Sequence, residues 1–409
     1  MSGRIASVSV GSPVLRVISD SSPQGALAAW REGLASDDVL VVVDPTWSEA
    51  MSRQAVALAQ AANQAGGLGA RDLVVFTSGS SGQARAVHRT RESWELSAAP
   101  FAEFLGLDPR GDVVGIPGPL RSTLFAFGAW HGLVTGCAVV AAPVAEFGPE
   151  VTVAHLVPAM LPEVFALREQ GRLSGLRTLV VAGDALPAGA AERAGGLGLR
   201  VVEYYGAAEL SFVGIRDATT DPDGAMHPFP GVEVQVRDGV LWSRSPYRMS
   251  GYLGTSGPMR CDDAGWATVG DLAELRGPGF VVRGRGNAAV TTGGHTVVVE
   301  EVERFLCALP GVSDAGVTGL LHARLGQRVV AVVSVVAEGA GGAEGAGGAE
   351  GAGGVAPDEA ALREACLALP APARPRAFVF AQVPRAATGK IQRERLREIA
   401  EATAVERRA

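Results

Sequence analysis

Short apolar runs that stop abruptly at small or turn-forming residues set the limits on what this chain can fold into. They read "VLVVVDP" (39–45), "LVVFTSGSSG" (73–82), "LRTLVVAGDALP" (176–187) and "LRVVEYYG" (199–206). Runs of this length, rich in Val and Leu and closed by Gly, Pro, Asp or Ser, read as strands. Helical stretches lie between them. Residues 48–65 are Ala-rich, with Ser48 as N-cap and Gly66 as the stop, and Trp94, Ala98, Phe101 and Leu105 recur at helical spacing after Thr90. Strands alternating with helices predict an α/β fold with parallel pairing. In such sheets ligands sit beyond the carboxyl ends of the strands, which is where the serine–glycine loop, Gly183 and Gly206 would lie.

At 409 residues the chain is too long for one ordinary core, so two or three domains are expected. From about 229 the pattern becomes a hairpin, "GVEVQVRDGVLWSRS", alternating around an Asp-Gly turn. Near 284 it changes again. The reading is a large N-terminal domain over 1–284 and a small α+β domain over 285–409. Within the latter, 337–354 is three copies of Ala-Glu-Gly-Ala-Gly-Gly, too flexible to pack, between a strand at 328–336 and a helix beginning near Asp358. It reads as an expanded surface loop.

The formal charge of −7 argues against a nucleic-acid surface. No apolar run reaches the length of a membrane span and no basic-then-apolar leader is present, so a chain without span or signal peptide is expected. Cys137, Cys261, Cys307 and Cys366 are scattered, which suggests neither a zinc site nor a disulfide framework and fits a reducing cytoplasm. The six dispersed histidines read as packing or surface residues.

The chemistry-bearing stretch is the loop Thr77, Ser78, Gly79, Ser80, Ser81, Gly82, followed by Arg85 and Arg89. Glycines let backbone approach a phosphate, hydroxyls and N–H groups donate to its oxygens, and arginines add charge-assisted bonds. The same residues also make an ordinary solvated turn. Neither G-x-x-x-x-G-K-[ST] nor G-x-G-x-x-G is present to decide between the two. A second pointer is compositional. Lys390 is the only lysine among 36 basic residues, and a compact ammonium is not interchangeable with a guanidinium fork.

Five segments, in order, resemble the adenylate-forming superfamily of acyl-CoA synthetases, peptide-synthetase adenylation domains and luciferases. The serine–glycine loop is similar to that family's phosphate loop, T-S-G-[ST]-T-G-x-P-K-G. "YYGAAE" (204–209) resembles Y-G-x-T-E, and "GWATVGDLAEL" (265–275) resembles G-W-[FY]-x-T-G-D. "VVRGRGNAAVTTGGHTVVVEEVE" (281–303) looks like the hinge region, and "PRAATGKIQR" (384–393) like P-[KR]-x-x-x-G-K-I-x-R. The resemblance implies a large adenylate-forming domain of mixed and parallel sheets with helices, plus a small mobile C-terminal domain. It implies an enzyme that joins a carboxylic acid to AMP from ATP, releasing pyrophosphate, and then passes the acyl group to a pantetheine thiol.

The roles it implies are these. Thr77 to Gly82 would hold the β- and γ-phosphates, with Arg85 where the family usually has Lys. Glu209 would hold Mg²⁺. Gly183, Asp184, Ala185, Tyr205 and Gly206 would border the nucleotide, the first three with Tyr205 forming the adenine slot. Asp271 would accept the ribose hydroxyls, and Arg285 would contact ribose or phosphate. Lys390 would bridge the carboxylate and the α-phosphate. Asn287 would be the hinge, and Gly293 and Gly294 would pass the thiol arm.

Departures are visible. Ala208 replaces the threonine of Y-G-x-T-E, "PLRSTLFAF" (119–127) lacks the usual aromatic or His gate, and the phosphate loop sits early, as in shorter relatives such as o-succinylbenzoate–CoA ligases. The N-terminal subdomain is therefore expected to be reduced. The leading reading is an acyl- or aryl-CoA ligase using ATP, Mg²⁺ and CoA. A carrier-protein phosphopantetheine is the alternative acceptor, since pantetheine is the thiol arm in both. A degenerate nucleotide-binding protein is the third reading, favoured by Ala208 and Arg85 and opposed by Lys390, Glu209 and Asp271. An α-amino acid substrate is disfavoured, because "LRSTLFAF" offers no Asp for the ammonium group. Arg121 there reads either as the partner of a second substrate carboxylate or as a surface residue.

Overall fold

The computed structural model describes residues 13–20, 22–77, 85–221, 224–254, 257–285, 290–292, 295–322, 325–336, 356–386 and 389–406. The chain divides into two compact units, Met1–Gln235 with Trp242–Val269, and Val236–Leu241 with Gly270–Ala409.

The larger unit begins β1 Leu15–Ile18, α1 Pro23–Leu34, β2 Val39–Val42, α2 Glu49–Gln64, β3 Asp72–Thr77, β4 Arg85–Thr90 and α3 Glu92–Leu105. It continues β5 Val113–Ile116, α4 Thr123–Val134, β6 Ala138–Ala141, β7 Val153–Leu156, α5 Leu161–Glu169, β8 Thr178–Val181, α6 Ala190–Gly196, β9 Arg200–Ala207, β10 Ser211–Asp217 and β11 His227–Pro228. After the hairpin β12 Glu233–Arg237 and β13 Val240–Arg244, through which the division between units passes, come β14 Gly251–Leu253, β15 Arg260–Cys261 and β16 Ala267–Thr268.

The expected alternation is realised twice. One sheet runs β1-β2-β3-β4-β14, its first three strands parallel. The other runs β11-β10-β9-β8-β7-β5-β6, parallel from β9 through β6. Val39, Val41 and Val74 of the first sheet pack on Ala55 and Ala59 of α2, whose N-cap Ser48 accepts the Met51 N–H. In the second sheet Leu179, Val181 and Val201 are buried with Val164 and Phe165 of α5. Another buried layer is aromatic: Phe127 of α4 meets Trp94 and Phe101 of α3 and Phe212 of β10. The Asp-Gly hairpin forms as read, with Asp238 and Gly239 both at positive φ (49° and 76°), the conformation that a tight two-residue turn requires.

The smaller unit holds β17 Asp271–Arg276, β18 Gly279–Arg285, β19 Val290–Thr292, β20 His295–Val297, α7 Val299–Cys307, β21 Val312–His322, β22 Gly326–Val335, α8 Glu359–Ala365, β23 Ala377–Phe380 and α9 Arg393–Glu406. Its main sheet runs β20-β19-β22-β21, with β23 parallel to β22. Val302 and Leu306 of α7 and Leu362 of α8 pack against Val317, Val329 and Ala331, while Leu396 and Ala400 of α9 pack with Val330 and Val332. Asp358 caps α8 by accepting the Ala361 N–H. Ser78, Gly79, Ser80, Ser81, Gly82, Asn287, Gly293, Gly294 and the repeat 337–354 lie outside the described residues.

Candidate active site

In the larger unit the serine–glycine loop joins β3 to β4, an antiparallel pair whose last register partners are Thr77 and Arg85. The loop is thus held at both feet. His88 Nε2 lies 2.6 Å from Asp72 Oδ2, which also accepts the Gly69 N–H at 2.8 Å, so the hairpin is tied at its base. On its other edge β4 pairs with β14, with Tyr252 opposite Val87.

The second part of the site is the turn between β9 and β10, which carries Ala208 and Glu209. Gly206 is needed here for packing, because a Cβ at that position would collide with the Ser211 carbonyl. Glu209 is only 7% exposed. Its Oε1 accepts the Tyr252 hydroxyl at 2.9 Å, and its carbonyl accepts the Met249 N–H at 2.8 Å. Beneath the turn lies Arg89, 0% exposed, donating through Nη1 to Ser211 Oγ (2.6 Å) and through Nη2 to the Ala208 carbonyl (2.9 Å). Its guanidinium sits 5.5 Å from the Trp94 ring centre. Burial lowers the Arg89 pKa to about 10 against the opposing pull of Glu209, so the group stays cationic at neutral pH. Burial, reinforced by the Glu209 charge, raises the Tyr252 hydroxyl, with Arg85 acting the other way. Glu209, Tyr252 and Arg85 therefore share one electrostatic neighbourhood, with Arg89 under Glu209, although they come from three separate stretches of chain.

The third part is the loop after β8. Gly183 has φ +97°, open to glycine, and Asp184 Oδ1 accepts the Ala185 N–H at 2.8 Å. Glu203 of β9 pairs its carboxylate with Arg216 on β10 (Nε–Oε2 2.8 Å), with the Leu186 amide of this loop close enough to act on it electrostatically. Burial raises the Glu203 pKa despite Arg216. Tyr204, half-buried, packs against Phe101 and Phe212, so its neighbour Tyr205 points to the opposite face of the strand.

In the smaller unit Asp271, 5% exposed, begins β17 and is the register partner of Arg285 on β18. Lys390 is exposed, in a loop closed on itself: the Ala386 N–H reaches the Lys390 carbonyl, the Gly389 N–H the Ala386 carbonyl and the Gln392 N–H the Pro384 carbonyl, each at 2.8 Å. Gly389 has φ +80° at the bend.

A family model described as AMP-binding enzyme matches residues 12–253, and one described as AMP-binding enzyme C-terminal domain matches 301–390. The chain belongs to the AMP-binding enzyme family. It is 30% identical over 285 residues to an uncharacterised acyl-CoA ligase of Bacillus subtilis, covering 63% of this chain and 57% of that protein. It is 27% identical over 270 residues to a 2-succinylbenzoate–CoA ligase of Salmonella typhimurium, covering 65% and 58%. The chain thus spans under three-fifths of these relatives' length. The ATP-bound structure of MatB from Rhodopseudomonas palustris superposes with a TM-score of 0.75 at 21% identity, covering 96% of this chain and 89% of that one, which shows a shared fold.

Arg89, expected from the sequence beside Arg85 as a cation for phosphate, is instead buried on Ser211 and Ala208, and no sequence pattern points to Glu203 or Tyr252. No local pattern marks a tyrosine that meets a glutamate 43 positions away. Arg121 is neither free nor merely superficial, since its Nε lies 2.5 Å from Asp44 Oδ2. Among the described residues no group of three or more His, Cys, Asp or Glu gathers to hold a metal, and no helix is long and apolar enough to cross a membrane. A lone acidic side chain such as Glu209 suits Mg²⁺, which is commonly held by one or two carboxylates together with substrate phosphates.

Proposed function

We propose that the enzyme activates a carboxylic acid with ATP and transfers the acyl group to the thiol of CoA. In the first step a carboxylate oxygen attacks the α-phosphorus, the bond to the bridging oxygen breaks, and pyrophosphate leaves with the electron pair. In the second, the thiol sulfur attacks the acyl carbonyl, AMP leaves and the thiol proton is lost. The observation that carries this reading is the buried Glu209, bonded to Tyr252 and underlain by Arg89, close to the Arg85 foot of the serine–glycine hairpin. Developing phosphoryl charge is stabilised by donors and charges already in place, and such a preassembled group meets that need.

Thr77 through Gly82 and Arg85 hold the β- and γ-phosphates. Glu209 takes Mg²⁺, which when bound would neutralise phosphate charge. Gly183 to Ala185 and Tyr205 border the adenine, Asp271 accepts the ribose hydroxyls and Arg285 stays near them. Ala208 contributes its carbonyl to Arg89, so this position keeps a structural use without the family's hydroxyl. Lys390 serves the first step and the Gly293–Gly294 segment the second, with the small domain, 285–409, swivelling at Asn287. The relatives named as CoA ligases favour CoA over a carrier protein as acceptor. Four free cysteines agree with a reducing cytoplasm. Pyrophosphate release and acyl-CoA formation, measured with ATP, Mg²⁺ and CoA across a panel of carboxylic acids, test the proposal. Absence of both with every acid, in folded protein, would overturn it.

A further inference from the structure

Lys390 stands between two arginines, each clamped to an acid far away in the chain. Arg393 donates to Glu303 of α7, with Nη2–Oε2 at 3.0 Å, and to the Val317 carbonyl at 3.2 Å. This clamp roots the start of α9 in the core of the unit, as Glu303 also accepts the Val317 N–H at 2.7 Å. Arg385 does something different. Its Nε and Nη2 grip both oxygens of Asp314 at 2.7 Å, while its Nη1 reaches the Gly389 carbonyl at 2.5 Å. Asp314 is itself held, because its Oδ1 accepts the Ala315 N–H at 2.8 Å. It also sits where the register of β21 against β22 slips between Val312 and Asp314, the kind of bulge that re-aims a side chain. One guanidinium thus ties a rigid strand to the peptide immediately before Lys390. Bidentate forks of this kind fix direction as well as distance.

We infer that Asp314 and Arg385 are positioning residues that set the orientation of the Lys390 loop for acyl-adenylate formation. This rests on the role proposed for Lys390. Neither residue touches substrate. Their effect runs through the Gly389 carbonyl to the backbone of Lys390, so their loss should harm the half-reaction that uses the lysine and spare the one that does not.

The test uses the full-length enzyme with Asp314→Asn, Arg385→Gln, the double variant and Lys390→Ala. Acyl-adenylate formation is followed by pyrophosphate release, and thioester formation by supplying the acyl-adenylate with CoA. Displacement of a catalytic group by about an ångström costs on the order of a hundredfold, so each single variant should slow adenylation by roughly tenfold to a hundredfold. The double variant should be no slower than the worse single, because the two residues act as one unit. Thioester formation should stay within about twofold of wild type, a split that a general loss of folding would not produce. If Lys390→Ala abolishes adenylation while Asp314→Asn leaves it intact, the inference fails and the function stands. Equal loss of both half-reactions in Asp314→Asn would also overturn it, by showing a merely structural pair. If Lys390→Ala itself adenylates at the wild-type rate, the proposed function is what fails.

Discussion

Arg89→Met tests the idea that a buried cation holds the Glu209 turn. The substitution keeps an unbranched side chain in the space but removes the guanidinium. Three things follow from the geometry. Ser211 Oγ and the Ala208 carbonyl lose charge-assisted partners now at 2.6 and 2.9 Å, and the Glu209 carboxylate keeps its burial without the neighbouring positive charge. Hydrogen bonds to a charged group contribute about 1.5–3 kcal/mol each, and removing one partner of a buried ionic group costs about 3–5 kcal/mol in all. For a unit of this size that corresponds to a fall in melting temperature of roughly 10 °C. Arg89→Lys should land between the two proteins, since one ammonium keeps the charge but cannot fork to both acceptors. Melting followed by circular dichroism reads the stability, and pyrophosphate release reads the effect on the Glu209 turn, which should fall in the same order. If Arg89→Met melts within about 2 °C of wild type, the guanidinium contributes no net stability and the reasoning is refuted.

Glu209→Gln keeps shape but not charge, so ATP-dependent adenylation should fall sharply and most at limiting Mg²⁺, whereas Tyr252→Phe, which removes the 2.9 Å bond to Glu209 and the 3.4 Å bond from the Met259 N–H but no charge, should have a smaller effect; pyrophosphate release at varied Mg²⁺ decides both. Burial lowers His131 to about 4 and His155 to about 3, so the folded state resists protons that the unfolded chain takes up below its ordinary 6.5. Their contribution is therefore full above pH 6.5 and lost as the pH falls, by about 2 kcal/mol each at pH 5. His155→Leu should flatten the fall in melting temperature between pH 7 and 5, and an unchanged slope would remove His155 as its cause. Deleting residues 339–354 should leave turnover unchanged and melting unchanged or slightly raised, because loop-closure entropy varies only slowly with length; a marked loss in either would give the repeat a role at the site.

What the sequence made legible was local. Val- and Leu-rich runs between Ala-rich stretches predict β2, β3, β8 and β9 because burial in a parallel sheet needs little else. Ser48 and Asp358 announce helix starts because capping is a contact three residues long. The strand β4, "RAVHRT", is not legible in the sequence, since its four polar or charged residues hide a backbone that β3 and β14 bond from either side. Arg89 misleads for the same reason. Arginine is normally exposed, and this one is buried and bonded to Ser211, which is 122 positions away. Motif residues such as Glu209 and Asp271 stand in short patterns that survive in one dimension, while Glu203, Tyr252 and Asp314 act through partners far along the chain that no spacing rule connects.

The arginine bias is intelligible in these terms. Arg89, Arg216, Arg385 and Arg393 each bond at least two acceptors, those of the last three on different stretches of chain, a task for which a planar fork with five donors is suited and a point charge is not. Replacing lysine by arginine at such places strengthens a joint. At residue 390 the same exchange would put a wide, rigid donor set on an exposed loop that Arg385 bonds at the residue before it. The fork there would have to fit a site shaped by the substrate rather than by the protein. The single lysine among 36 basic residues thus falls in an exposed loop between two of those forks, where charge, rather than bracing, is what the proposed chemistry asks for.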